Sequence, residues 1–385
     1  MIQKSLSKHQ YHCHLWFPDL FNSTGGIQRY SSFCLKGFQT IYPNFAYDIL
    51  IKHDTDVPSK SPNLYFHPSG NWPLSLRTPA FASQLIGLGF WQRPNLIFSS
   101  HLNFSVPAYL LKRLMGIPYW VVAHGIEVWN LQNSTLQTAL HHADRILAVS
   151  HYTRDRLIQE QNLDPDKVVV LPNTFDADSF QIAPKPDNLL KQYGLKPEQP
   201  IILTVARLSQ LEQYKGYDRI LAALPQIRQA IPNVHYILVG KGDDKLRIEQ
   251  LISQYQLQDC VTLTGYVPDA ELSSYYHLCD VFAMPSKAEG FGIVYLEALA
   301  CGKPTLGGNQ DGAQDALCQG ELGALVNPDD VEAIAQTIIQ ILQGIYPNPL
   351  MYQPEALREK VIKKFGFEQF QKTLGSYLEK HFELI

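Results

Sequence analysis

Two glutamates enclose a glycine-containing turn in the segment EGFGIVYLE, residues 289–297. Gly290 and Gly292 carry no Cβ, so the main chain there can approach a ligand closely. The apolar residues that follow predict a helix beginning near Gly292, and the free amides of a helix N-terminus attract anions such as phosphate. Glu289 precedes this helix, whereas Glu297 lies inside it. Because the helix is apolar on every side, we expect it to be buried, and a buried carboxylate needs donors such as ligand hydroxyls or backbone amides.

Two basic residues follow the apolar run 201–205 in the second half of the chain. Arg207 offers a planar fork of donors and Lys215 a compact charge, a pair that suits a diphosphate. Cations of this kind stabilise the charge that develops on a departing phosphate without help from a metal ion. The alternative is that both are solvated loop residues. Their position directly after a predicted strand favours the first interpretation.

Other polar or small residues close predicted strands in the first half of the chain. Gly25 and Gly26 offer main-chain amides at the start of a predicted helix. His124 comes directly after a strand and is followed by glycine, which favours a functional histidine over a structural one. His101 also ends a strand and is a candidate site residue. Glu127 is expected to bond either to a ligand or to its own loop.

Short apolar runs alternate with longer helical patterns along the whole chain, which is typical of parallel sheets covered by helices on both faces. Strands are predicted at residues 11–17, 47–52, 63–66, 95–99, 119–123, 145–149, 168–171, 201–205, 234–239, 261–264, 281–284, 304–306 and 323–326. Helices are predicted at residues 29–38, 106–115, 153–161, 219–230, 245–255, 269–278, 292–300, 331–342 and 368–382.

The alternation pauses at residues 182–200, which contain four prolines. We therefore predict an N-terminal Rossmann-like domain at 1–185 and a C-terminal one at 195–366. The amphipathic tail, residues 367–385, is expected to pack back on the first domain. Two doubly wound α/β domains of this kind would face each other across a cleft, because ligands bind outside the carboxyl ends of parallel strands.

Three segments, in this order along the chain, resemble the family 4 retaining glycosyltransferases of the GT-B fold. They are GGIQR at 25–29, VARL at 205–208 with KG at 215–216, and the E-x7-E segment at 289–297. The resemblance runs through essentially the whole chain, and each of the three segments stands at the end of a predicted strand. One departure concerns the loop 307–315, where Asp311 stands in place of a glycine and Asp315 in place of a glutamate.

The resemblance implies a role for each site residue. Catalysis is assigned to His124, Glu289, Arg207 and Lys215. The donor diphosphate is assigned to Gly25, Gly26, Arg207, Lys215, Ile293 and Val294. The donor sugar is assigned to His124, Glu289, Gly290, Phe291 and Gly292. The nucleoside is assigned to Gly265, Tyr266, Val267 and Glu297. The acceptor side is assigned to His101 and Glu127.

The function implied is transfer of a hexose, with retention, from a UDP- or GDP-type donor to a glycan or lipid-linked acceptor. No metal and no cofactor are expected. The departing phosphate oxygen is expected to take the proton of the acceptor, so that no protein base is needed. One alternative is a non-catalytic nucleotide-sugar-binding subunit of a glycan biosynthetic complex. An NAD-dependent enzyme is disfavoured because no G-x-G-x-x-G follows the first strand.

The composition limits the partners. A net charge of −4 on 385 residues does not suggest a nucleic-acid binder. Residues 1–150 carry 11 Lys and Arg against 6 Asp and Glu, a basic half suited to an anionic acceptor or a lipid headgroup surface. The N-terminus is too polar for a signal peptide, so a cytoplasmic location is expected, with peripheral membrane contact open. Asp54-Thr-Asp56 has the D-x-D form of metal-dependent glycosyltransferases, but we interpret it as a solvated loop.

Overall fold

The computed structural model describes residues 11–21, 25–58 and 62–383. Residue contacts divide the chain into two compact units. Unit 1 is Met1–Pro172 with Phe370–Ile385, and unit 2 is Asn173–Gln369. The chain leaves unit 1 before the proline-rich stretch that was predicted to join the domains. That stretch holds a short helix of unit 2, which begins at Asp187.

The sheet of unit 1 contains, within the described residues, seven parallel strands in the order β3-β2-β1-β4-β5-β6-β7. They are β1 His12–Phe17, β2 Ala46–Ile51, β3 Leu64–Pro68, β4 Leu96–Ser99, β5 Tyr119–Ala123, β6 Arg145–Ala148 and β7 Val168–Val170. Every residue of β5 is buried, which explains its continuous apolar run. The order reverses at β1, between β2 and β4, so the chain after β1 lies at a topological switch point.

Unit 2 repeats this plan with, in the described part of the chain, six parallel strands in the order β10-β9-β8-β11-β12-β13. They are β8 Ile201–Val205, β9 His235–Val239, β10 Val261–Gly265, β11 Val281–Met284, β12 Thr305–Gly308 and β13 Ala324–Val326. Here the order reverses at β8, between β9 and β11. The loops after β8 and β11 carry Arg207 and Glu289, so the predicted anion-binding residues stand at the switch point.

Helices connect most of the consecutive strands, and the last three helices follow the last strand. They are α1 Gly26–Ile41, α2 Leu74–Gln92, α3 Ser105–Met115, α4 Ser134–His141, α5 His151–Gln161, α6 Asp187–Tyr193, α7 Tyr217–Ala230, α8 Lys245–Gln254, α9 Asp269–Leu278, α10 Ile293–Ala300, α11 Ala313–Ala316, α12 Val331–Leu342, α13 Pro354–Phe365 and α14 Phe367–Phe382. Every helix that the sequence predicted is present.

The last helix, α14, packs on unit 1. Leu374 and Leu378 are buried on one face of α14. A Cβ on Gly37 would lie 2.9 Å from Leu374 Cδ2, so the absence of a side chain lets α1 and α14 pack closely. The Tyr377 hydroxyl donates to the Val170 carbonyl at 2.9 Å, which fixes α14 to the end of β7.

Helix α2 leaves large apolar side chains exposed. Trp91 is 87% exposed and Phe90 55%. A Cβ on Gly89 would lie 2.3 Å from Leu111 on α3, so these side chains flank a close α2–α3 contact. Among the described residues, no helix combines the length and the apolarity needed to cross a membrane.

Candidate functional site

Four charged side chains meet after β8 and β11 in unit 2, and together we call them the charge cluster. Nη1 of Arg207 lies 3.0 Å from Oε1 of Glu212. Nζ of Lys215 lies 2.8 Å from Oε2 of Glu289 and 3.7 Å from Oε2 of Glu212. The structure therefore brings three predicted residues together. Sequence reasoning missed Glu212, although an acidic residue between two cations in one loop was a visible signal.

Close backbone contact holds the two loops of the cluster together. Gly216 ends the 3₁₀ turn Gln210–Lys215 with a φ of +76°. A Cβ at Gly216 would lie 2.2 Å from the Pro285 carbonyl oxygen, so only glycine allows this approach. The Lys287 amide donates to the Tyr214 carbonyl at 3.0 Å. These contacts set Lys215 beside the turn that carries Glu289.

The two cations differ in their surroundings. The Lys215 side chain is 14% exposed and that of Arg207 66%. Burial disfavours the Lys215 ammonium, but the carboxylate of Glu289, with Tyr214 and Glu212, outweighs burial and holds the Lys215 pKa above its ordinary value. Lys215 is thus a fixed positive charge, while Arg207 is free to reorient toward a ligand.

The turn that presents Glu289 is organised by a buried carboxylate, Asp311. Its Oδ2 accepts from the Glu289 amide and from the Ser286 hydroxyl, each at 2.7 Å, and its Oδ1 accepts from the Ala313 amide at 3.0 Å. Burial raises the pKa of Asp311 to about 6 despite these bonds. A Cβ on the neighbouring Gly312 would lie 2.0 Å from the Gly290 carbonyl oxygen, so the loops touch through their backbones. The residue that departs from the family pattern therefore shapes the Glu289 turn.

Helix α10 begins directly after this turn. Gly292 stands at its N-cap with a φ of +87°, where a Cβ would lie 2.5 Å from the Tyr295 ring. Because glycine has no side chain to cap the helix, the amides of Ile293 and Val294 are left to other acceptors. Phe291 is buried and its ring lies 5.4 Å from that of Phe365. Any contact of Phe291 with a sugar must therefore use its main chain.

Glu297 lies in the interior of unit 2. It is 0% exposed, and its Oε2 accepts a hydrogen bond from the Tyr276 hydroxyl at 2.7 Å. The expectation of burial is confirmed. The donor is a side-chain hydroxyl of α9, which sequence reasoning did not foresee. A role for Glu297 in binding ribose stays a prediction and requires the ligand to reach a carboxylate that is already bonded.

The other predicted nucleoside residues lie at the end of β10 and contact the loop after β9. The Gly265 carbonyl accepts from the Gly240 amide at 2.9 Å and from the Thr264 hydroxyl at 3.0 Å, so both of its lone pairs are engaged. Main-chain recognition of a base therefore falls on Tyr266 and Val267. Tyr266 is partly exposed, with Nζ of Lys241 4.5 Å from its ring centroid.

In unit 1, the glycine loop and His124 are linked through α1. The helix begins at Gly26, with Gly25 at its N-cap, and residues 22–24 lie outside the described residues. One turn later, the ring of Tyr30 lies 5.2 Å from that of His124, edge to face. The structure thus places the predicted His124 beside the first turns of the predicted anion-binding helix.

His124 is held as a neutral imidazole. Desolvation lowers the pKa of His124 to about 4, against the opposing effect of the hydrogen bond to Ser100. Nε2–H donates to the Ser100 carbonyl at 2.8 Å, which leaves Nδ1 as an acceptor. Glu127 accepts from the His124 amide at 2.6 Å, so its carboxylate organises the loop. Burial raises the Glu127 pKa above its ordinary value, although that hydrogen bond opposes the shift.

His101 caps the short turn Leu102–Phe104. Its Nδ1 accepts from the Asn103 amide at 3.2 Å. Burial lowers the His101 pKa below its ordinary value, while the nearby Glu127 carboxylate opposes that shift. His101 and Glu127 thus lie near one another and each organises a loop, and their contact with an acceptor stays a prediction.

The interpretation of Asp54-Thr-Asp56 as a solvated loop is wrong for Asp54. Asp54 is completely buried, and its Oδ2 accepts from the amides of Leu20 and Phe21 at 2.8 and 2.9 Å. Two hydrogen bonds from the chain that follows β1 explain why a carboxylate is buried here. Asp56 is exposed.

Comparison with known proteins covers both units. Residues 186–358 match the family described as "Glycosyl transferases group 1", and residues 44–179 match "Glycosyltransferase Family 4". Two curated relatives are named GDP-mannose-dependent alpha-(1-6)-phosphatidylinositol monomannoside mannosyltransferase. The Mycolicibacterium smegmatis protein is 33% identical over 234 residues, 57% of this chain and 59% of its own length. The Mycobacterium tuberculosis protein is 34% identical over 267 residues, 66% of this chain and 68% of its own.

A solved structure resembles the whole chain. It is Anabaena Alr3699/HepE in complex with UDP-glucose, with a TM-score of 0.75, 19% sequence identity, and coverage of 97% of this chain and 100% of that one. At this identity the likeness concerns the fold, namely two doubly wound units in one chain.

Proposed function

Because the chain belongs to the family 4 glycosyltransferases and has their GT-B fold, we propose that it transfers a hexose, with retention and without a metal ion, from a UDP- or GDP-linked donor to a glycan or lipid-linked acceptor. Both bases stay in the proposal, since one relative is named as GDP-mannose-dependent and a protein of the same fold binds UDP-glucose.

The observation that carries this proposal is the charge cluster beside the N-terminus of α10. A diphosphate bound there exchanges the carboxylate of Glu212 for its own oxygens at Arg207 and Lys215. The main-chain amides at the start of α10 are further hydrogen-bond donors for the oxygens of the diphosphate. The two cations and a helix terminus together provide the stabilisation that a divalent ion gives in other enzymes.

In unit 1, His124 is the group that we propose contacts the donor sugar. The sugar becomes positively charged as the bond to phosphate breaks, so a protonated imidazole would oppose the reaction. The low pKa of His124 keeps the ring neutral, and its Nδ1 is oriented as an acceptor by the Ser100 carbonyl. A neutral acceptor stabilises a sugar hydroxyl and the adjacent positive charge.

The proposed reaction balances without a base from the protein. The bond from the anomeric carbon to the phosphate oxygen breaks, and a bond to the acceptor oxygen forms on the same face. The acceptor proton moves to the departing phosphate oxygen. Arg207 and Lys215 stabilise the charge that remains on the diphosphate, and Glu289 holds Lys215 at 2.8 Å.

The test is release of nucleoside diphosphate by the full chain, with UDP- and GDP-hexoses paired in turn with glycan and lipid-linked acceptors. Activity that persists in EDTA and a product of unchanged anomeric configuration by NMR are expected. Arg207→Ala should abolish most of the activity, and Arg228→Ala, which removes a surface pair with Asp259, serves as the matched control. Donor binding without release for any acceptor would favour the binding-subunit alternative, and strict dependence on added manganese would refute the metal-free mechanism.

We also propose that the exposed face of α2 and α3 contacts an anionic lipid surface. Trp91 on α2 and Leu114 on α3 are exposed, and Arg93 and Arg113 accompany them in the same exposed segments. Apolar side chains with adjacent cations suit the headgroup region of a membrane. Trp91→Ala should weaken sedimentation with phosphatidylserine vesicles, while Leu246→Ala, an exposed residue of unit 2, should not. Equal binding of the vesicles by the wild type, Trp91→Ala and Leu246→Ala would exclude this face as the membrane contact.

A further inference from the structure

A histidine cluster lies on the sheet of unit 1, away from the loops described above. We define it as His12, His14, Asp48 and His67. In the strand register, His14 lies beside Asp48, while His12 and His67 are each two residues from this row and so share its face of the sheet. Gln92, the last residue of α2, covers the cluster. His14 stands three residues before the end of β1 and so lies roughly 10 Å from the end of the strand that leads to the glycine loop.

The atoms of the cluster that can bind a metal lie close together. Asp48 uses both carboxylate oxygens. Its Oδ2 lies 2.5 Å from Nε2 of His12, and its Oδ1 lies 2.5 Å from Nε2 of His67. Ligand atoms of His12, His14 and Asp48 all lie within 4.8 Å of one another. His14 and Asp48 are buried.

The hydrogen bonds of Gln92 fix which nitrogen of His14 carries the proton. The amide Nε2 of Gln92 donates to Oδ1 of Asp48 at 3.3 Å, so its Oε1 faces His14 as an acceptor. Nε2–H of His14 therefore donates to that oxygen, at 2.6 Å. The lone pair of Nδ1 is left over, and within the described chain this buried atom has no hydrogen-bond partner. Histidines that bind metals commonly donate their other N–H to a carbonyl in this way.

We propose that His12, His14 and Asp48 bind one divalent transition metal of the zinc type. The ligands are Oδ2 of Asp48 and one nitrogen from each of the two histidines. Imidazole and carboxylate ligands of this kind favour zinc and related metals over magnesium. His67 and Gln92 hold the other oxygen of Asp48 and so orient the carboxylate.

The metal would connect β1 directly to β2, and through His67 and Gln92 also to β3 and α2. It takes no part in the sugar transfer proposed above, because the residues proposed to bind the sugar donor lie after the carboxyl ends of β1 and β5 and in unit 2. Its effect is on the stability of unit 1, since a ligand that binds only the folded state raises the melting temperature.

The test uses the untagged full chain, stripped with EDTA and dialysed. Zinc should bind with one site per chain by calorimetry and raise the Tm by roughly 5–10 °C at about a hundredfold excess over Kd. Cobalt should give the visible absorption of an ordered site, and magnesium should have no effect. His12→Gln, at the partly exposed edge of the cluster, should abolish zinc binding while circular dichroism shows a folded protein.

His142→Gln, an exposed histidine of the same unit, is the matched control and should bind zinc like the wild type. His67→Gln should weaken binding about tenfold or more, as loss of an orienting partner does. Absence of zinc binding in the wild type, or equal binding by wild type and His12→Gln, overturns the proposal. Release of nucleoside diphosphate should be unchanged in His12→Gln, so the failure of either proposal is visible separately.

Discussion

Replacing Glu212 with glutamine should tighten the binding of the nucleoside diphosphate. In the ligand-free cluster, Glu212 pairs with Arg207 at 3.0 Å and lies 3.7 Å from Lys215. A diphosphate must break the first contact and then lie near a remaining carboxylate. A partly exposed ion pair is worth up to about 1 kcal/mol, and this amount corresponds to a decrease in Kd of about fivefold. Since Arg207 is largely exposed, most of the effect should disappear in high salt.

Calorimetric titration of UDP and GDP at low and high ionic strength measures this change. Glu321→Gln is the matched control, because Glu321 pairs with Lys360 at 2.7 Å elsewhere in unit 2. Its Kd should equal that of the wild type. Weaker or unchanged binding by Glu212→Gln would show that the carboxylate positions the cations instead of competing with the ligand, and would refute the exchange argued above.

Three further predictions concern unit 2. Arg207→Ala and Lys215→Ala should each lower kcat by a factor on the order of 100, and near-normal turnover in both would contradict their role. Burial raises the folded-state pKa of Asp311 to about 6, above its ordinary value of 3.8, so the folded state holds the proton more tightly and stability falls as pH rises from about 4 to 6. Urea unfolding should show this decline in the wild type and a flatter profile in Asp311→Asn, whereas parallel profiles would exclude the assignment. Glu297→Gln should raise the donor KM and Tyr276→Phe should lower the Tm alone, while an unchanged KM in Glu297→Gln would remove the ribose role.

The strands were predictable because a strand that is buried on both faces consists of an uninterrupted run of apolar residues. All thirteen strands of the described chain lie within two residues of their predicted bounds. The prediction of the helices was less complete. Helix α2 was not predicted, since it contains Pro79 and its apolar residues are not confined to one face. Helix α6 lies among prolines that predicted a linker, and α13 begins with Pro354 at its first turn, where proline is tolerated.

The positions of the candidate site were predictable to the extent that strand ends determine them. Arg207, Lys215 and Glu289 follow β8 and β11, and neighbouring parallel strands bring their carboxyl ends to one edge of the sheet. The partners were not predictable in the same way. Asp311 bonds to an amide 22 residues away and Tyr276 to a carboxylate 21 residues away. Such pairs depend on how helices and loops pack, and no local pattern in the sequence predicts this packing.

The arrangement of the charge cluster explains how a cation pair for diphosphate can persist in a stable unit. Lys215 is nearly buried, and a buried ammonium without a partner is costly, so Glu289 must accompany it. Glu212 then balances Arg207, and the four side chains carry no net charge. Binding of a diphosphate breaks the contacts of Glu212 and forms new contacts of the phosphate oxygens with Arg207, Lys215 and the amides of α10. The affinity therefore depends on the difference in free energy between these two sets of contacts. Because only Arg207 is substantially exposed, the exchange is expected to begin there, with Lys215 held in place by Glu289.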